Sequence, residues 1–142
     1  MSGMQSLIDF AERRVEGALT SWQRLRAQYE EARHKLLLLQ QHGENYRDLM
    51  RTGLERGLSA TSTRAYMGFI GQIEAIVLRQ ESEIGSLEKA CAQQWQALVD
   101  ARREKRAYEI LSERAANREA EARSRRAQAD IDELLQRRVK MQ

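Results

Sequence analysis

Few residues in this chain are of the kind that performs chemistry, and their surroundings do not organise them for it. The histidines are His34 and His42, and the one cysteine is Cys91. A metal site needs three or four such ligands converging at short spacings. Here both histidines fall on a stretch rich in Leu, Lys and Arg, with no neighbouring cysteine and no H-E-x-x-H. Gly68-Phe69-Ile70-Gly71 is a GxxG pair that would suit a phosphate-holding loop. It lies inside an apolar helical pattern, where small residues serve close helix approach instead. There is no P-loop, no G-x-G-x-x-G and no nucleophile elbow. No catalytic residue, metal or cofactor is expected, and the chain does not read as an enzyme. The arginines Arg114, Arg118, Arg123, Arg125 and Arg126 belong to a basic C-terminal stretch.

The elements carrying these residues are read from periodicity. From Ile8 to Met50, thirteen positions alternate intervals of three and four: Ile8, Ala11, Val15, Ala18, Trp22, Leu25, Tyr29, Ala32, Leu36, Leu39, Gly43, Tyr46 and Met50. Only Gly43 lacks an apolar side chain. The stripe resumes at Tyr66 and runs through Ile70, Ile73, Val77, Gln80, Ile84, Leu87, Cys91, Gln94, Leu98, Ala101 and Lys105 to Tyr108. A period of 3.5 is the seam of a coiled coil. The 142 residues include no proline, the residue that breaks helices by steric clash and a missing donor.

The expected fold is all-α: a long two-helix antiparallel coiled-coil hairpin with a C-terminal single-helix overhang, one elongated domain over 1–142. Helix one should span about 5–50, with Ser2 or Ser6 as its cap. A break over about 51–62 contains Gly53, a candidate terminator, and Gly57. Helix two should span about 63–138, capped by Ser59, Thr61 or Ser62.

Setting Met50 opposite Tyr66 puts Gly43 near Ile73, Leu36 near Gln80, Tyr29 near Leu87, Trp22 near Gln94 and Ile8 near Tyr108. Gln80, Gln94 and the mismatched Trp22 would then penalise slipped registers. Helix one is used up near Tyr108, leaving an overhang of roughly 50 Å at 1.5 Å per residue. The seam loses its large apolar groups in the same region, after Leu111. Alanines mixed with Arg and Glu take over, with Glu119/Arg123 and Glu121/Arg125 at supporting i, i+4 spacing.

The formal net charge is only +3, so the balance alone does not demand nucleic acid. It is uneven: Arg102–Gln142 holds twelve Lys/Arg against eight Asp/Glu, which suggests different partners for tail and body. Cys91 lies on the seam as a small hydrophobe. No segment approaches the roughly 20 apolar residues of a membrane span, and no secretory h-region is seen, so a cytoplasmic location is expected.

Several apolar residues lie off the seam. Leu37, Leu38, Met67, Phe69 and Ile76, with His42 and Tyr46, form a collar near the turn. Either it thickens the core, with Leu54 and Leu58 folded over it, or it is an exposed binding patch.

The chain resembles the FliJ family of the bacterial flagellar type III export apparatus. The likeness lies in size, the two-helix plan and several segments in order. These are Gln40-Gln41-His42-Gly43-Glu44-Asn45-Tyr46-Arg47, Tyr66-Met67-Gly68-Phe69-Ile70-Gly71-Gln72-Ile73-Glu74, Trp95-Gln96-Ala97-Leu98 and Arg102-Arg103-Glu104-Lys105. The resemblance implies a non-enzymatic coiled coil like the axial subunit of rotary ATPases. It implies binding to the hexameric export ATPase (FliI-like) through the end carrying both termini. It also implies binding to the cytoplasmic domain of the export gate (FlhA-like), escort of export chaperones, and a peripheral position on the cytoplasmic side of the inner membrane.

Carried over by position, the gate patch would be Leu39, His42, Tyr46, Phe69, Ile73, Ile76 and Gln80; the family is usually aromatic where His42 stands. The basic overhang, with Arg114, Arg118, Arg123, Arg125 and Arg126, would enter the ATPase ring. The stalk of a virulence injectisome shares the plan. An architectural nucleic-acid binder using the Arg-rich tail is the reading from another class, opposed by the interspersed glutamates.

Overall fold

The computed structural model describes residues 2–141, with Ser2 described through its backbone alone. Two helices account for nearly all of them: α1, Ser2–Glu55, and α2, Ala60–Lys140. They pack against each other, and there is no strand among the described residues.

Their connection is shorter than the glycine and Ser/Thr content suggests. α1 continues through Gly53, and Gly57 is the terminator, at φ +86°. Leu58 N–H donates to Gly53 O at 2.8 Å and Gly57 N–H to Leu54 O at 3.2 Å. This is the Schellman pairing that satisfies the last carbonyls of a helix. Gly53 has a different task. A Cβ there would lie 3.2 Å from Leu58 Cδ2, so its bareness seats the leucine that seals the helix end. Of the three cap candidates, Ser59 starts α2: Ser62 N–H donates to its Oγ at 3.1 Å. At the other end Ser6 lies inside α1 rather than capping it. In the same turns Gln5 Nε2 donates to Asp9 Oδ1 at 2.9 Å. The alternative cap depends on the Ser2 side chain, which is not described.

The chain divides into two units, Gly17–Leu98 and Met1–Glu16 with Val99–Gln142. In the first, α1 and α2 run antiparallel. Gly43 faces Ile73, Tyr46 faces Phe69, Tyr29 faces Glu88 and Trp22 faces Trp95. Every seam position expected in this unit is buried or half-buried. Gln80 donates from Nε2 to Ala32 O at 2.9 Å across the helix pair, a polar contact that a register slip would break. Trp22 is not a mismatch against Gln94. Its ring packs at 5.1 Å on that of Trp95, which reaches in from beside the seam.

In the second unit, Ala11 and Ala101 are almost fully buried. Small residues there allow close backbone approach. Arg14 is paired with Glu104. Lys105 sits on the seam but carries its charge out to Glu12, at 3.7 Å. Ser112 and Ala115 remain half-buried, as does Met4. α1 begins at Ser2, so pairing reaches past Tyr108 to about Ala115. From Ala116 to Met141 only Ala122 is not exposed. The unpaired helix from Ala116 to Lys140 is therefore about 37 Å long at 1.5 Å per residue, rather than 50 Å.

Candidate partner-binding surfaces

The collar lies in the Gly17–Leu98 unit and is exposed. Tyr46 projects from the seam with its ring stacked on Phe69, centroids 5.7 Å apart and planes 22° apart, and tilted against Tyr66 at 6.5 Å. Phe69 nevertheless remains 50% exposed and Ile76 39%. Leu37, Leu38 and Met67 are also exposed, so the collar does not simply thicken the core. Leu54 is exposed too, and only Leu58 of the turn pair folds inward. Leu39 and Ile73 are half-buried walls of a groove floored by Gly43. His42 is exposed. Gln80 differs from the rest, since its amide donates into the helix pair.

Arg47 ties the two helices beside that groove. Its Nη2 bonds Glu74 Oε1 at 2.8 Å, and Nη1 lies 3.7 Å from Glu44. The guanidinium is held above its ordinary pKa, first by the hydrogen bond to Glu74. Charge-assisted bonds of this kind fix a rim more than they stabilise a fold when both partners stand in solvent.

The second surface lies on α2 in the other unit. Arg114, Arg118, Arg123, Arg125 and Arg126 are all exposed. Among the described residues none of the five forms an ion pair, so the expected Glu119/Arg123 and Glu121/Arg125 pairs are open. In full solvent such a pair gains only about 0.3–0.5 kcal/mol against side-chain entropy. Helical geometry places Arg114, Arg118 and Arg125 within about 40° of one another as a single basic row, with Arg123 and Arg126 off to the other side. Beyond them Ile131, Leu134, Leu135 and Val139 are 50–72% exposed. They lie at i, i+3, i+4 and i+8, an apolar stripe with no covering partner among the described residues.

The family described as Flagellar FliJ protein matches residues 1–142. The chain belongs to the FliJ family. Membership makes it a component of flagellar type III protein export, and the matched family is the flagellar one rather than an injectisome one. No curated protein and no solved structure matches the chain.

The family is associated with flagellar export and has no known enzymatic activity. Among the described residues no group of three His, Cys, Asp or Glu is placed to hold a metal. No helix among them is long and apolar enough to cross a membrane. Sequence reasoning missed Leu49 and Leu78, exposed beside seam residues Met50 and Val77, and also Ile131 and Val139. The usable signal was a large apolar residue directly adjoining a seam position, or recurring in a tail with no partner left.

Proposed function

We propose that this FliJ-family protein links the export ATPase ring to the export gate. The patch of Leu39, His42, Tyr46, Phe69, Ile73, Ile76 and Gln80, which overlaps the collar, docks on the gate's cytoplasmic domain. The row of Arg114, Arg118 and Arg125, with Arg123 and Arg126, engages the ATPase hexamer. The protein then acts in the cytoplasm, peripheral to the inner membrane through these contacts, and can also hand export chaperones to the gate.

The observation that supports this best is that α2 carries two exposed surfaces of different chemistry, one aromatic and apolar, one basic. A helix that only packed against α1 would need neither. The tail also favours a protein partner over nucleic acid. Its arginines alternate with glutamates, and an apolar stripe follows them, which suits a protein sleeve and not a phosphate backbone.

The test measures ATP hydrolysis by the cognate export ATPase with the full chain and with a chain ending at Ala115, alongside binding of each to the gate domain. Saturable stimulation should require the tail, and the shortened chain should keep gate binding. Full stimulation by the shortened chain would refute the tail's role. Steeply salt-dependent DNA binding with no ATPase response would move the reading to nucleic acid.

A further inference from the structure

Gly43 is a seam position without a side chain, buried within α1. Glycine weakens a helix interior relative to alanine, so its presence needs a reason. The backbone gives none, because Gly57 is the one described residue at positive φ. Close approach gives none either. A Cβ on Gly43 would meet Ile73 Cγ2 at 3.4 Å and Arg47 Nη1 at 3.7 Å, ordinary contact distances. A local rule broken without a structural return points to function.

What the missing side chain leaves is an open groove of about 500 Å³. Leu39, Ile73, Val77 and Leu78 wall it, and Glu44, Arg47 and Glu74 stand on its rim. The walls are aliphatic. Among the described residues no buried side-chain N or O lacks a hydrogen-bond partner, so the groove holds no orphaned polar atom for a ligand to satisfy. One guanidinium serves two carboxylates on the rim, which leaves local negative charge, and Glu44 is 65% exposed.

We propose that this groove is the specificity pocket of the gate-facing collar. It receives one large aliphatic side chain of the gate domain, with an adjoining Lys or Arg of that domain meeting Glu44. The proposal rests on the gate reading above, because the groove shares Leu39 and Ile73 with the proposed gate patch. It adds which chemistry the partner presents and which position selects for it.

The test uses the full chain and the cytoplasmic domain of the cognate export gate, with affinity measured by calorimetry for Gly43→Leu, Glu44→Lys and Phe69→Ala. Gly43→Leu should lower affinity at least tenfold while its melting temperature stays at or above that of the parent. Glu44→Lys should lower affinity several-fold and steepen the loss at low salt. Gly43→Leu binding within twofold of the parent, with Phe69→Ala impaired, would overturn the pocket and leave the gate reading standing. No binding by the parent chain would remove the gate reading itself.

A second measurement needs no substitution and stands even if the leucine variant melts low. The methyl resonances of Leu39, Ile73 and Val77 should shift on adding the gate domain. Unmoved methyls beside a perturbed Phe69 would overturn the proposal. So would a dimer in sedimentation that Gly43→Leu abolishes, because a second copy would then be the occupant.

Discussion

Replacing three glycines with alanine, one at a time, should give three different results, because each glycine occupies a different environment. At Gly43 the added methyl meets Ile73 at 3.4 Å and fits. Helix propensity gains about 0.8–1.0 kcal/mol, and a buried methyl adds up to about 0.8 kcal/mol. Gly43→Ala should therefore be more stable by about 1–1.5 kcal/mol. At Gly53 the same propensity gain meets a Leu58 side chain at 3.2 and 3.3 Å. Leu58 must shift off the helix end, so Gly53→Ala should be close to neutral. At Gly57, φ of +86° places any Cβ against its own backbone, a cost of about 1–2 kcal/mol. Urea unfolding followed by helical circular dichroism would read the order directly, with an unchanged slope marking a true stability change. A Gly57→Ala midpoint equal to the parent's would refute the Schellman closure. A lowered Gly43→Ala midpoint would mean that the helices leave no room there, and the argument for a functional glycine would fall with it.

Two further outcomes follow from hydrogen bonds. Tyr29 donates from its hydroxyl to Glu88 Oε1 at 3.1 Å and accepts from Arg33 Nη1 at 3.2 Å. Both partners reach solvent, so Tyr29→Phe strands no buried group and should cost only about 0.5–1 kcal/mol in the same urea assay; a loss above 3 kcal/mol would show the contact to be buried. Tyr108 donates to Glu104 Oε1 at 3.1 Å, and this bond first, then the charge of Glu104, raises its pKa above the usual tyrosine value of about 10. A raised phenol favours the folded state fully below its unfolded pKa and loses that contribution as pH climbs through the folded one. In a phenolate absorbance titration, Tyr108→Phe should remove the late-ionising component and Glu104→Gln should move it to lower pH. An unchanged late component in both would refute the assignment.

The seams were legible because a 3.5 period requires only side-chain type in order, and the exposure of each seam position agrees with it. The ends of the helices were less so. Gly53 resembles a helix breaker in a string of letters, yet glycine in a last turn is tolerated when a leucine five residues on fills its place. Thr61 and Ser62 look like loop residues but belong to the first turn of α2, where their polarity suits the cap. The packing of Trp95 on Trp22 was not legible because periodicity identifies which residues face the partner helix and not which neighbours bend over the seam. The collar was visible as surplus apolar residues; that they stay in solvent required knowing that a single partner helix cannot cover them.

Exposure on this scale has consequences for how the two surfaces should bind. The collar residues are held by a paired segment, with Tyr46 stacked on Phe69 and Arg47 clamped to Glu74. Their ordering is complete before a partner arrives, and preorganised aromatic surface loses little entropy on docking. The tail is different. From Ala116 onward its helix rests on intrinsic propensity and a few local contacts such as Arg137 to Glu133 at 2.9 Å, with no partner helix adding to them. Binding there must immobilise long, rotamer-rich arginine side chains, so part of the interaction energy is absorbed. With unpaired arginines supplying the attraction, the tail contact should weaken with salt. The collar contact, being largely apolar, should hold. On the proposed function, that asymmetry would let the protein keep hold of one partner while releasing and re-engaging the other.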